Sequence, residues 1–195
     1  MATDERTRLE PRVPPEAAMI VNLLNSRPHG AGGMFPDQLD NPETAGALLS
    51  SFGPPEATAP TAPTTPVAER VEALRGLRTA LLGMVWPQSA SEADARLAEL
   101  DAYASTIPLR QVFSDPGEVG LRQVGGDPAV GGITRAVAVL MAADKWSRIR
   151  ICDNPSCHHA FYDATRSRTQ RWHSYEMCGN KANVAAYRAR RKAES

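Results

Sequence analysis

Residues 150–192 read RICDNPSCHHAFYDATRSRTQRWHSYEMCGNKANVAAYRARRK and hold every cysteine of the chain, Cys152, Cys157 and Cys178. With His173 the spacing is C-x4-C, fifteen residues, then H-x4-C. Two close pairs of thiol or imidazole ligands separated by a loop are how a short segment builds a tetrahedral zinc site, since it is too small to bury a core of its own. Asn154-Pro155 favours a tight turn that aims both sulfurs of the first pair at one ion, with backbone N–H groups donating to them. Ser174 is placed to cap a following helix, which puts Cys178 in its first or second turn near the positive end. A Cys3His set fills all four positions and leaves none for water, so the expected Zn2+ is structural. His158 and His159 are alternative imidazoles. Their chelates next to Cys157 are strained, and His173 ranks first.

Moving outward, the charge of the chain sums to zero but is unevenly spread. Residues 145–195 carry eleven Lys/Arg against four acids, a net +7, and the first 144 residues carry −7. A basic tail on a mildly acidic body points to a polyanionic partner, with attraction between the two parts as the blander reading. On the helix after Cys178, residues Lys181, Arg188 and Lys192 share a face, Arg190 points elsewhere, and Arg191 falls on the stripe beside them, with Arg191 and Lys192 also readable as fraying ends. Met177, Val184 and Tyr187 form a stripe expected to pack on the preceding hairpin. Arg166, Arg168 and Arg171 extend the cationic patch from the loop. Such an array suits phosphate contacts on DNA, with RNA or a protein partner as the second reading. Gly179 and Asn180 are read as serving the fold, through a close backbone approach and a side-chain hydrogen bond.

The body is more ordinary. At 195 residues and 42% hydrophobic, the chain fits one medium domain plus a small appendage. No apolar run approaches the roughly 18–20 residues of a membrane span, and the charged N-terminus lacks a signal-peptide core. A cytoplasmic location is expected, where thiols stay reduced. The run EAAMIVNLLNSR after Pro14-Pro15 fits a buried helix or a strand, and HGAGGMFPDQLD reads as a loop. Asn41-Pro42 starts a helix that Gly53 ends, and the Pro/Ala/Thr-rich stretch 53–66 reads as an extended loop. Val67, Val71, Leu74, Leu77, Leu81 and Met84 recur at helical steps up to Trp86. A second helix fits 91–104 with Leu97, Leu100 and Tyr103 inward. Segments 109–114 and 119–125 around Asp115-Pro116-Gly117 read as a β-hairpin, and Asp127-Pro128 opens an apolar helix to about Trp146.

The expected fold class is therefore α+β. A mostly helical N-terminal domain with a short hairpin spans 1–146, and a small treble-clef-like finger of hairpin and helix spans 147–195. No phosphate-binding glycine loop, nucleophile elbow or catalytic carboxylate pair stands out in 1–146, and His29 is the sole histidine outside the finger. The chain is read as no enzyme, with no catalytic residue assigned.

The run from Cys152 resembles the CGNR zinc finger, whose usual text is Cys-x4-Cys, F-x-D-x-S-R-x-x-R-R-x-W-C-S-M-x-x-C-G-N-R-x-K and then an Arg-rich helix. Phe161, Asp163, Arg166, Arg171, Trp172, Ser174, Cys178, Gly179, Asn180, Tyr187, Arg188 and Arg190 match it. His173 stands where that family has its third cysteine, and Lys181 where it has the motif arginine. The first departure is expected to raise the pH at which metal is lost. The second keeps the charge but loses bidentate geometry. In that family the finger follows an ABATE domain, and its members are regarded as stress-related transcription regulators. The resulting expectation is a transcription regulator whose finger holds DNA while the body senses an unknown small-molecule effector or forms a homodimer. The rival readings are an enzyme or small-molecule-binding protein with a purely structural finger, and a protein-interaction adaptor.

Overall fold

The computed structural model describes residues 13–53, 65–115, 118–181, 183–184 and 190–191. The body is carried by α1 (Pro15–Asn25), α2 (Pro42–Ser51), α3 (Val67–Val85), α4 (Ala90–Ser105) and α5 (Pro128–Ala142). Between α4 and α5 runs the antiparallel ribbon β1 (Leu109–Asp115) and β2 (Glu118–Gln123). Beyond α5 a second antiparallel pair follows, β3 (Ile149–Ile151) and β4 (Ala160–Tyr162), and then a π-helical turn over Tyr175–Gly179. The class is α+β, as expected. No helix among the described residues is long and apolar enough to cross a membrane.

Local chemistry explains several boundaries. Asn41 Oδ1 accepts hydrogen bonds from Glu43 N and Thr44 N, with Pro42 at the first helical position, where no backbone N–H is needed. Asp127 repeats this for Ala129 N and Val130 N ahead of Pro128. The segment after Pro14-Pro15 is a helix, with Ile20, Leu23 and Leu24 wholly buried.

Other expectations are corrected. The last body helix stops at Ala142, not Trp146, because Asp144 takes a left-handed φ of 53° and Trp146–Arg148 forms a short 3-10 turn leading into β3. Leu97 is 49% exposed, so α4 meets the core through Leu100 and half-buried Tyr103. The extended loop lies, over 54–64, outside the described residues, as do Pro116, Gly117, Tyr187, Arg188 and Lys192.

One core gathers Ile20, Leu23 and Leu24 of α1 with Phe52, Leu74, Leu77, Leu81, Ile133, Val137 and Leu140. Burying each of these side chains contributes about 1.5–3 kcal/mol. The approach of α2 to α5 depends on Gly132, where a Cβ would lie 1.7 Å from the Phe52 carbonyl oxygen. The same core takes in Ile149 of β3 and Ala160 of β4, so the finger is seated on the body.

A buried ion pair ties α3 to the loop after α1. Arg78 Nη1 and Nη2 donate to the two carboxylate oxygens of Asp37 at 2.8 and 2.6 Å, and Nη1 also donates to Ser26 Oγ at 3.0 Å. Burial opposes ionisation of Asp37, but the Arg78 hydrogen bond leads the effects that hold its carboxyl below the ordinary range. Removing Arg78 leaves Asp37 only one cation, the more exposed Arg75, whose Nη1 donates to Oδ2 at 3.1 Å. Arg78→Met is expected to cost about 1.5–3 kcal/mol, the worth of hydrogen bonds to a charged group, read as a lower urea midpoint with an unchanged m-value. A loss under about 1 kcal/mol contradicts a structural role for the pair.

Candidate metal centre and cationic surface

The β3–β4 pair sets Ile149 opposite Tyr162, Arg150 opposite Phe161 and Ile151 opposite Ala160. Cys152 N continues the ladder to His159 O at 2.9 Å. Between them the chain turns tightly. Cys157 N donates to Asn154 O at 2.8 Å, Ser156 N donates to Asn154 Oδ1 at 3.0 Å, and the His159 N–H donates to the Cys157 sulfur. Asp153 N, donating to Arg171 O at 2.9 Å, brings the later ligands alongside. Ser174 Oγ then accepts from Met177 N at 3.2 Å and caps the turn that carries Cys178.

The result is one cluster. The ligand atoms of Cys152, Cys157, His173 and Cys178 all lie within 4.8 Å of one another, and the cysteines are unbridged thiols. His173 Nδ1 is 3.4 Å from Cys157 Sγ and 3.7 Å from Cys178 Sγ. A tetrahedral ion with bonds of about 2.0–2.3 Å sets ligand atoms about 3.5–3.8 Å apart, so the donor set suits a zinc-sized ion. Burial, together with the neighbouring thiols Cys178 and Cys152, pushes the Cys157 thiol up to about 12 against the lowering effect of the His159 N–H. Crowded thiols of this kind hold their protons until a cation displaces them.

The competing imidazoles are turned to other work. His29 Nδ1 lies 2.8 Å from Arg27 O, a pure acceptor, so that nitrogen carries the proton and His29 Nε2 accepts from His159 Nδ1 at 3.2 Å. His159 Nε2 in turn accepts from Asn25 Nδ2 at 3.1 Å. Both His159 nitrogens are thereby engaged. Burial first, then the charges of His173, His29 and Arg27, lowers its pKa to about 4 and keeps the ring neutral. His158 adopts a left-handed φ of 54°, and its ring lies against Trp86 with centroids 5.0 Å apart.

Asn25 was invisible to sequence reasoning, because a polar residue at a helix end says nothing about a partner 135 positions away. Its Nδ2 donates to Ala160 O at 2.9 Å and its Oδ1 accepts from Ala160 N at 2.7 Å, so it pairs with β4 as a third strand would. Asp163 was noticed only as a family match. It is fully buried and accepts from Thr165 N, Thr165 Oγ1 and Gln170 N, with Arg150 3.7 Å away. Burial disfavours its charge, but these donors prevail and hold the carboxyl below the ordinary range. Asp163 thus shapes the loop that presents Arg166 and Arg168.

All the described basic candidates are exposed. Arg168 pairs with Asp144 at 3.0 Å and Arg171 with Asp153 at 2.7 Å. Exposed pairs of this kind are worth about 0–1 kcal/mol, so they order these side chains without committing them. Arg166, Lys181, Arg190 and Arg191 lie on the same loop and terminal segment, and Arg188 and Lys192 fall outside the described residues.

The expected apolar stripe is corrected. Met177 is 62% and Val184 49% exposed. Cys178 and Gly179 face inward instead, and a Cβ on Gly179 would meet Tyr175 Cδ2 at 2.6 Å and Trp172 Cε3 at 3.2 Å. The π-helical turn over Tyr175–Gly179 is therefore held through Cys178 and its glycine, with Cys152, Phe161 and Cys178 packed against Cys157 and Trp172. Asn180 is exposed and makes no side-chain hydrogen bond among the described residues.

A short hairpin, a turn between two thiols and a π-helical turn bearing the last cysteine, docked on a helical body, define a two-part protein with a finger whose donor set suits a metal ion. The family model described as "Putative stress-induced transcription regulator", ABATE, matches residues 17–144, and the CGNR zinc finger matches residues 148–191. The chain belongs to the ABATE family and ends in a CGNR zinc finger. No curated protein matches it.

Proposed function

We propose that the chain is a cytoplasmic transcription regulator that binds DNA through its finger, while the body senses an effector or dimerises. Cys152, Cys157, His173 and Cys178 would hold a structural zinc ion, which cross-links the hairpin to the terminal segment and performs no chemistry. The observation that carries this reading is the convergence of the four ligand atoms within 4.8 Å at the root of two exposed cationic segments. Such a surface suits phosphate contacts that position a protein on a duplex. A single finger covers little DNA, so the proposal includes a dimer or a second contact. No catalysis is assigned: the buried acids Asp37 and Asp163 are tied to arginines and backbone N–H groups.

The test is a fluorescence-anisotropy titration of the zinc-loaded chain against duplex DNA at rising salt. With about four phosphates neutralised, binding is expected to weaken about a hundredfold between 50 and 200 mM salt. Absent or salt-insensitive binding sinks the reading.

A further inference from the structure

At the seam between body and finger lies a cleft of about 590 Å³, and its lining includes Arg27, His29, Gly32, Trp86, Ser156 and His158. Its volume falls within the roughly 300–1,000 Å³ of small-molecule sites. Three features of the lining go beyond what the fold requires.

The first is Arg27, half-buried at the end of α1. Its Nη1 donates to Leu24 O and its Nη2 to His158 O. Unlike Arg70, Arg75, Arg78 and Arg96, which all face carboxylates, Arg27 has no carboxylate partner among the described residues, the Cys157 thiol being the one acidic group whose charge acts on it. A guanidinium offers five N–H donors, and carbonyls satisfy hydrogen bonds without supplying counter-charge. The second is the aromatic wall. Trp86 remains 46% exposed beside the His158 ring, whose Nδ1 is buried without a hydrogen-bond partner. The third is the rim at Gly30, Gly32 and Gly33, with φ values of 84°, 66° and 73°. A Cβ on Gly32 or Gly33 would meet nothing within 4 Å, so glycine there serves backbone conformation and leaves the main chain open to the cleft.

We propose that this seam cleft binds a small planar organic anion, an aromatic carboxylate in the simplest case, with its ring against Trp86 and its carboxylate toward Arg27. A flat π-surface and a half-buried cation select for a ligand with both parts. Neither a bare phosphate nor a neutral aromatic satisfies both. The ligand touches both the loop that follows α1 and the Pro155–His158 knuckle, so occupancy bears on how the finger is held. The proposal deepens the sensing role assigned above and rests on it only for its regulatory consequence.

The test is an amide and indole NMR titration of the full metal-loaded chain, without DNA, using benzoate, benzamide, cyclohexanecarboxylate and inorganic phosphate. Benzoate is expected to give saturable shifts at the Gly30–Gly33 amides and the Trp86 indole N–H. The other three probes are expected to bind at least about tenfold more weakly. Trp86→Leu is expected to weaken benzoate at least about tenfold with metal content unchanged, and Arg27→Gln to do the same. Arg27 also lies in the field of Cys157, so metal is assayed in that variant. If Arg27→Gln loses metal, Trp86→Leu decides. No saturable shift with benzoate below about 10 mM, equal binding of benzamide or phosphate, or wild-type affinity in Trp86→Leu overturns the proposal. DNA is absent from this measurement, so a failed DNA titration leaves it standing, and its failure leaves DNA binding untouched.

Discussion

A Cys178→Ala chain is expected to purify without zinc and with the segment beyond β4 unfolded, while the body and the β3–β4 hairpin seated on it stay folded. The segment beyond β4 has little else to hold it. The finger's strands are three residues long, its own apolar cluster is Cys152, Phe161 and Cys178 with Cys157 and Trp172, and the helix stripe of Met177 and Val184 faces solvent. In zinc-finger peptides ligation contributes about 10–16 kcal/mol of apparent folding free energy at neutral pH, and a site stripped of one thiolate forfeits most of it. The body keeps its core around Leu74, Leu77, Leu81 and Ile133, with Ile149 and Ala160 of the hairpin still packed in it. Elemental analysis should therefore find less than a tenth of the wild-type metal content, at about one ion per chain expected for wild type. Near-UV dichroism should lose the Trp172 signal while far-UV helicity from α1–α5 persists. A variant with full metal content and native-like spectra sinks the claim that this cluster holds the finger.

Acidification is the second large lever. Metal binding displaces the protons of three thiols, and each proton displaced costs a further 1.36 kcal/mol per pH unit of acidification, by linkage. Between pH 7 and pH 5 that amounts to about 8 kcal/mol, a large part of what ligation supplies. His173 is not the reason. Burial, with His29 adding to it, lowers its pKa below the ordinary imidazole value, so the ring sheds fewer protons on binding a cation than a thiol does. A fourth cysteine in place of His173 would have to shed a further proton at neutral pH, so the histidine makes the pH dependence less steep. Asp163 adds in the same direction at lower pH. Its folded pKa is depressed below the ordinary 3.8, so its contribution is present above that value and is lost as pH falls through the folded one. Retention of a cobalt-substituted site, followed by its visible absorption, should collapse steeply below about pH 5.5 and recover on neutralisation. A shallow, one-proton curve contradicts three-thiolate ligation.

The ligand spacing was legible because coordination imposes it locally: C-x4-C needs only the Asn154-Pro155 turn, and H-x4-C only the Ser174 cap. Helix starts at Asn41 and Asp127 were equally local, each an oxygen followed by proline. The misreadings share a different origin. Leu97, Met177 and Val184 carry helical spacing but face solvent, since periodicity tells which residues share a face and not whether anything covers it. The end of α5 was missed because Asp144 breaks the helix in a left-handed turn that Asp adopts without a glycine or proline to announce it. The partners of His159 were out of reach because Asn25 and His29 lie at least 130 positions away.

The grip of Asn25 on Ala160 has a consequence for modularity. An amide side chain of the body completes the hydrogen bonding of a finger strand that would otherwise present a bare edge, and bare edges invite strand-to-strand aggregation. A finger transplanted without its first helix leaves that edge uncovered. In the intact chain, α1 and β4 should tilt together as one lever rather than swing about a hinge.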